Sequence, residues 1–312
     1  FASFASDIML KFIKVGKLTW GNADKVDEQT LNRLKKLYRF HHLDLEDVQS
    51  DIHDPKIDTY KNYLFAIFNF PAYKNNARYV KVEELDVFIG RGYLITIYND
   101  GLKELGDIFK KLEKNSRLRK DWLEKGTDFL LFKILQSLYK SRMKEAANHI
   151  SAKLTSVEKE VYRRTGRKNI EELAALRRNI LSFRRLVDPQ RELIASLALD
   201  KRDFINDEYE PYFDDIRDYL DRTWTRLSNY KDTIDGLYET NESLLSYKTN
   251  EIIKILTVIS VALMPPTLLS GIYGMNIGLP FQQQPNMVFA LYGILFAVTM
   301  IIIWALKRRK WF

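Results

Sequence analysis

The stretch IIKILTVISVALMPPTLLSGIYGMN, residues 252–276, decides the architecture of this chain. As far as Ile272 it carries one charge, Lys254, near its start. A second run, MVFALYGILFAVTMIIIWAL at 287–306, carries none. Each holds about 20 residues, and at about 1.5 Å per residue such a helix crosses about 30 Å of hydrocarbon. A buried core helix can be as apolar, but two such runs in tandem are rare in a soluble domain. The sequence predicts two membrane-spanning helices, 250–273 and 287–306, joined by residues 274–286.

Charge sets the orientation. Residues 277–286 are uncharged, whereas Lys307, Arg308, Arg309 and Lys310 follow the second run directly, and Lys248 and Lys254 flank the first. Positive flanks stay in the cytoplasm. Both termini are therefore expected inside a multi-pass protein of the cell membrane, with residues 307–312 as a basic cytoplasmic tail. No apolar stretch near the start reads as a signal peptide, in keeping with that.

Bulk composition conceals the spans: 29% of the 312 residues are charged, and 49 basic against 41 acidic residues give +8. A basic chain often binds nucleic acid. Here several of the excess charges flank the spans, where anionic lipid or an internal sink for cations accounts for them better, so lipid and not nucleic acid is the expected partner. The absence of cysteine excludes disulfides and thiolate metal sites. No P-loop, dinucleotide-binding glycine pattern or nucleophile elbow is present in the amino-terminal part. Neither an enzyme nor an organic cofactor is expected.

Residues 1–126 read as an α+β domain with helices around a mixed sheet. β-branched and aromatic runs predict strands at 8–15, 63–70, 85–89 and 93–98. Helices are predicted at 28–40, where Leu31, Leu34 and Leu37 share a face, and at 43–48. Residues 127–249 read as a helical stalk, with Asp188-Pro189 marking a kink or turn. Gly236 is the one glycine between Gly166 and Gly271, so a single helix of roughly 60 residues is expected from about Pro211 through the membrane.

Between Asp200 and Asp221 the chain places nine acids against Lys201, Arg202 and Arg217. The stretch is either a solvated helix face or a sensor for hard cations, which take carboxylate oxygens. It lacks the spacing of an EF-hand loop. His41, His42 and His53 have no zinc-type pattern and read as structural.

Two helices cannot enclose a pore, so conduction requires several copies around an axis. Asn250, Ile253, Thr257, Ser260, Met264, Thr267 and Gly271 recur at spacings of three and four, on one face of the first span. A small-residue dimerisation face would look much the same. Pro265-Pro266 favours a pore, because freed carbonyls at membrane depth are tolerated where they line water. The first span directs the negative end of its dipole outward. A ring of Asn276 carbonyls there would hold a hydrated magnesium ion through its waters.

Tyr273-Gly274-Met275-Asn276 resembles the signature of the CorA-type divalent cation channels. Residues 255–259, Met264-Pro265 and Thr267 precede it as they do in that family; a second span and a Lys-Arg cluster with Trp311 follow. Leu43-Asp44-Leu45-Glu46-Asp47-Val48, Pro55-Lys56, Tyr63-Leu64-Phe65 and Asp214-Asp215-Ile216 extend the resemblance over nearly the whole chain. It implies a homopentamer with a funnel-shaped cytoplasmic domain, passing magnesium and also cobalt or nickel. It further implies an outer selectivity site of Gly274, Met275 and Asn276. Thr267, Met264, Leu256, Ile253 and Asn250 would line the pore below, with Leu256 and Ile253 in a hydrophobic constriction. Asp215 would bind regulatory magnesium between subunits and favour the closed state, and Lys307, Arg308, Arg309 and Lys310 would form a basic ring at the inner mouth.

Three departures accompany the resemblance. The outer loop is uncharged, with Gln282, Gln283 and Gln284 where many relatives carry an acidic segment. Lys74 stands where some relatives supply an acid to pair with Asp215. Pro265-Pro266 replaces a single proline. A proton-coupled zinc transporter of the same fold and a non-conducting membrane-anchored scaffold are the alternatives.

Overall fold

A computed structural model describes residues 10–50, 52–72, 79–99, 101–163, 166–199, 207–275, 277–278 and 285–308. The chain divides into two compact units, 1–237 and 238–312.

The first unit is built on a six-stranded mixed sheet. Its strands are β1 (Leu10–Val15), β2 (Leu18–Ala23), β3 (Lys56–Thr59), β4 (Tyr63–Ala72), β5 (Lys81–Gly90) and β6 (Tyr93–Tyr98). They lie in the order β1-β2-β6-β5-β4-β3, with β2 and β6 parallel and every other pair antiparallel. All ten residues of β4 are buried, so both faces of the sheet are covered. On one side α1 (Glu28–Tyr38) and α2 (His42–Gln49) lay Leu31, Leu34, Leu45 and Val48 against Phe65, Ile67, Phe88, Ile95 and Ile97. On the other, Trp20 meets Phe109 of α3 (Lys103–Lys114), and Phe70 meets Tyr139. Asp27 caps α1 by accepting from Thr30 N at 2.7 Å, which satisfies one of the free amides of the first turn.

A short α4 (Ser116–Leu123) and α5 (Thr127–Leu138) follow, and α5 runs into a π-helical turn, Tyr139–Met143. The turn directs Tyr139 inward, where its hydroxyl donates to Gln190 Oε1 at 2.6 Å. Next come α6 (Lys144–Arg163), α7 (Arg167–Leu199) and, after one 3-10 turn, α8 (Glu210–Tyr273). The turn allowed at Asp188-Pro189 is not found: α7 continues through Pro189. Gln190 bonds back to Leu186 O at 2.8 Å in the turn where proline supplies no donor. α8 starts one residue before the position expected and has 64 residues. Its first part joins this unit through Phe213, Ile216, Leu220, Leu227 and Ile234.

The second unit holds the rest of α8 and α9 (Pro285–Arg308). Both helices are long and apolar enough to cross a membrane, and in those spans almost none of the apolar side chains is buried.

Candidate functional site

The end of α8 is set by backbone chemistry. Gly274 N donates to Ser270 O at 2.9 Å and Met275 N to Ile272 O at 3.1 Å, closing the last turn. A Cβ on Gly274 would stand 3.0 Å from the Ser270 carbonyl oxygen, so glycine lets the chain leave the helix tightly. Asn276, the third residue of the motif, lies outside the described residues, as do Gln282, Gln283 and Gln284.

Below this turn the side chains sort by face. The less exposed positions of α8 from 250 to 275 are Val258, Ala262, Pro265, Pro266, Leu269 and Tyr273. In α9 from 286 to 305 they are Val288, Tyr292, Leu295, Thr299 and Ile303. Both series advance by three and four, as one face of a helix does. Each span shields a stripe of the other, and Ser270 Oγ lies 2.6 Å from the Tyr292 hydroxyl across the pair. At about 100° per residue, the stripe Ile253, Thr257, Ser260, Met264, Thr267 and Gly271 falls on nearly the opposite side of α8. Every one of these residues is exposed, as are Asn250 and Leu256.

Thr257 Oγ1 donates to Ile253 O and Thr267 Oγ1 to Leu263 O, both at 2.8 Å. Each hydroxyl proton is thus satisfied within the helix, leaving an oxygen that can only accept. Pro265 and Pro266 sit inside α8 and remove the donors that Val261 and Ala262 carbonyls would use. This face of α8 offers oxygens and apolar surface, with no ionisable group between Lys254 and Met275 except the Tyr273 phenol. At the far end of α9, Lys307 and Arg308 occupy the last turn, and Arg308 lies over Trp304 at 5.4 Å. Arg309 and Lys310 lie outside the described residues.

The acidic stretch is partly paired. Asp215 Oδ2 accepts from Gln136 Nε2 at 3.4 Å and lies 3.8 Å from Lys140 Nζ. Asp214 pairs with Arg217 at 3.4 Å, and Asp221 with Arg191, which also holds Asp188 at 3.0 Å. Among the described residues no three acidic or histidine side chains are grouped to hold a metal ion. Lys74, Asp200 and Asp203 lie outside the described residues. Sequence reading missed Lys140 and Tyr292. The first is distant from Asp215 along the chain, and the second sits in a run that reads as uniformly lipid-facing.

His53 is held between acids of two elements, Asp47 of α2 and Glu84 of β5. Its backbone N–H donates to Glu84 Oε2 at 2.5 Å, and its ring lies 3.7 Å from both Asp47 and Glu84. Glu84 neighbours Asp86 on β5, a buried acid whose carboxyl burial pushes well above the ordinary range. Lys56 bridges Asp47 at 2.7 Å and Asp58 at 2.5 Å.

Comparison with known proteins covers the whole of this arrangement. The family described as "CorA-like Mg2+ transporter protein" matches residues 15–308. The cobalt/magnesium transport protein CorA of Thermotoga maritima is 27% identical over 303 residues, 94% of this chain and 83% of that protein. The structure of the CorA magnesium transporter from Methanocaldococcus jannaschii superposes with a TM-score of 0.80 at 22% identity, covering 93% of this chain and 92% of that one. A zinc transport protein ZntB from Photorhabdus laumondii is 27% identical over 140 residues, 45% of this chain and 43% of the relative. With the family match running from residue 15 to residue 308, the chain belongs to the CorA-like Mg2+ transporter protein family.

Proposed function

We propose that the protein is a passive channel for magnesium, admitting cobalt or nickel, formed by five copies around an axis in the cell membrane. One observation carries this reading: the second span covers the back of the first and leaves the stripe from Ile253 to Gly271 exposed on the other side. Copies that meet along that stripe enclose a path whose wall offers Thr257 and Thr267 oxygens, with Ile253 and Leu256 as its narrow apolar part. At its outer end Gly274, Met275 and Asn276 form the selectivity site. Neutral oxygens suit an ion that surrenders its waters reluctantly. The basic residues Lys307, Arg308, Arg309 and Lys310 ring the inner mouth, with both termini in the cytoplasm.

The membrane potential drives entry, at about 2.3 kcal/mol per charge per 100 mV and so roughly twice that for a divalent ion. Magnesium bound at Asp215 between subunits closes the pore when cytoplasmic magnesium is plentiful. Such control works through stronger binding to the closed state than to the open one. The α8 helix, continuous from Glu210 to Tyr273, joins Asp215 to Ile253 and Leu256.

Zinc transport is the second reading, favoured by the partial match to the ZntB protein. Zinc prefers nitrogen and thiolate ligands, and neither span contains a histidine or cysteine. Isotopic magnesium uptake into proteoliposomes, with and without a pH gradient, decides between them. Uptake driven by voltage alone is the expected result. Zinc uptake that requires the gradient would establish the second reading, and no divalent flux under any condition would leave a membrane-anchored scaffold.

A further inference from the structure

The bond between Ser270 and Tyr292 stands one turn before the motif. Ser270 uses two groups at once. Its carbonyl oxygen accepts from Gly274 N at 2.9 Å, and its hydroxyl lies 2.6 Å from the Tyr292 hydroxyl on the other span. Tyr292 belongs to the shielded stripe of α9, and Leu269 and Tyr273 of the shielded stripe of α8 flank Ser270. A Cβ at 274 would press on that same carbonyl at 3.0 Å, so Gly274 packs directly against Ser270. Two prolines upstream remove donors from the α8 ladder, and Gly274 and Met275 close its last turn with their two backbone bonds. A hydroxyl pair between two spans adds interhelical attraction that the surrounding lipid cannot supply.

We infer that Tyr292 is a positioning residue: its hydroxyl, through Ser270, fixes the rotation of the last turn of α8 and so the direction in which the Gly274-Met275 exit presents the motif. This rests on the channel reading above for its effect on ions, but the geometry it asserts does not. Tyr292 touches no permeating ion. It acts by holding the second span to the turn from which the motif departs, so that neighbouring copies present the motif in one arrangement.

The test uses the full chain in proteoliposomes with Tyr292→Phe, Ser270→Ala, the double variant and Ser270→Thr. Two quantities are read: magnesium permeation relative to sodium, and deuterium exchange at the Gly274 and Met275 amides. Each single variant removes one hydroxyl and retains the rest of the side chain. Each should assemble as the parent does, lose about three- to tenfold in magnesium preference, and exchange the two amides faster by a similar factor. The double variant should be no worse than either single one, because both break the same bond. Ser270→Thr keeps the hydroxyl and should retain both properties. Unchanged exchange in Tyr292→Phe, or additive effects in the double variant, would overturn the proposal. So would loss of assembly in both single variants, since the bond would then be a contact of folding alone. Should the parent pass no divalent cation, the channel reading fails, and amide exchange still decides whether Tyr292 positions the turn.

Discussion

Lys140 Nζ lies 3.8 Å from Asp215 Oδ2, so the carboxylate that resembles a regulatory magnesium ligand already has a cation of its own chain beside it. Both side chains are about half exposed, at 55% and 52%, and an exposed pair of this kind is weak. Under the proposed gating, the lysine would compete with magnesium at Asp215 without replacing it. Lys140→Met should therefore lower the cytoplasmic magnesium concentration that half-closes the channel by roughly two- to fivefold, the worth of one surface ion pair. Asp215→Asn should raise it. Flux measured against internal magnesium checks both, and a curve indifferent to either change would make the acidic stretch a solvated helix face.

The motif itself allows a sharper expectation. Gly274 and Met275 close the last turn of α8 with backbone bonds, and Asn276, the proposed carbonyl ligand, follows them in the motif. Asn276→Ala should abolish magnesium flux and leave assembly intact, as judged by gel filtration. Asn276→Gly separates the two roles of asparagine, because glycine keeps any unusual backbone angle a turn demands while removing the carbonyl. Parental flux in Asn276→Gly would reduce the residue to a turn former.

Much of the architecture was legible in the residues themselves, and the gaps have physical causes. Strand β6 matched its expected bounds, and β4 and α1 theirs within two residues at one end, because the two strands are continuous β-branched and aromatic runs and the helix carries a 3.6 period. Strand β2 was missed because Gly21 and Asn22 lower its propensity. The glycine is there for room, since a Cβ would meet Ile95 at 2.7 Å and Phe12 at 2.9 Å. Strand β3 was missed as a four-residue polar edge, held by pairing with β4. The exposed stripe of the first span was readable as a period, but which side α9 covers was not. Lys140 beside Asp215 joins two helices that sequence spacing cannot relate, and the hydroxyl of Tyr292 looks like any aromatic in an apolar run.

A buried amide ties the helical layer to the sheet. Gln190 is fully buried, accepts from Tyr139 OH at 2.6 Å and from Asn69 N at 3.3 Å, and donates to Leu186 O at 2.8 Å. Gln190→Leu fills the same volume but leaves a buried phenol and a strand amide without their acceptor. The change should cost about 1–3 kcal/mol, and Tyr139→Phe added to it should restore part of the loss by removing one orphaned donor. Thermal or denaturant unfolding of the purified protein checks both.

The first unit should also lose stability as the solution becomes less acidic, on account of Asp86. Burial first, and then the neighbouring Glu84 and Asp47 carboxylates, push its carboxyl well above the ordinary 3.8, with Lys56 alone opposing them. Burial raises Glu84 too, although bonds from His53 work against that shift. The groups come from several elements: Asp47 from α2, His53 from the following loop, Lys56 from β3, and Glu84 with Asp86 from β5. With its folded value raised, Asp86 keeps its proton in the native state at a pH where the unfolded chain has released it. Between 3.8 and that raised value the native state binds more protons, so stability falls as pH rises, by about 1.4 kcal/mol per pH unit for one proton. Asp86→Asn supplies a permanent donor to Glu84 without the charge. It should match the parent in acid, become the more stable protein toward neutral pH, and flatten the slope between. Parallel stability curves for the two proteins across that range would show that Asp86 ionises in the folded domain as freely as it does in the unfolded chain.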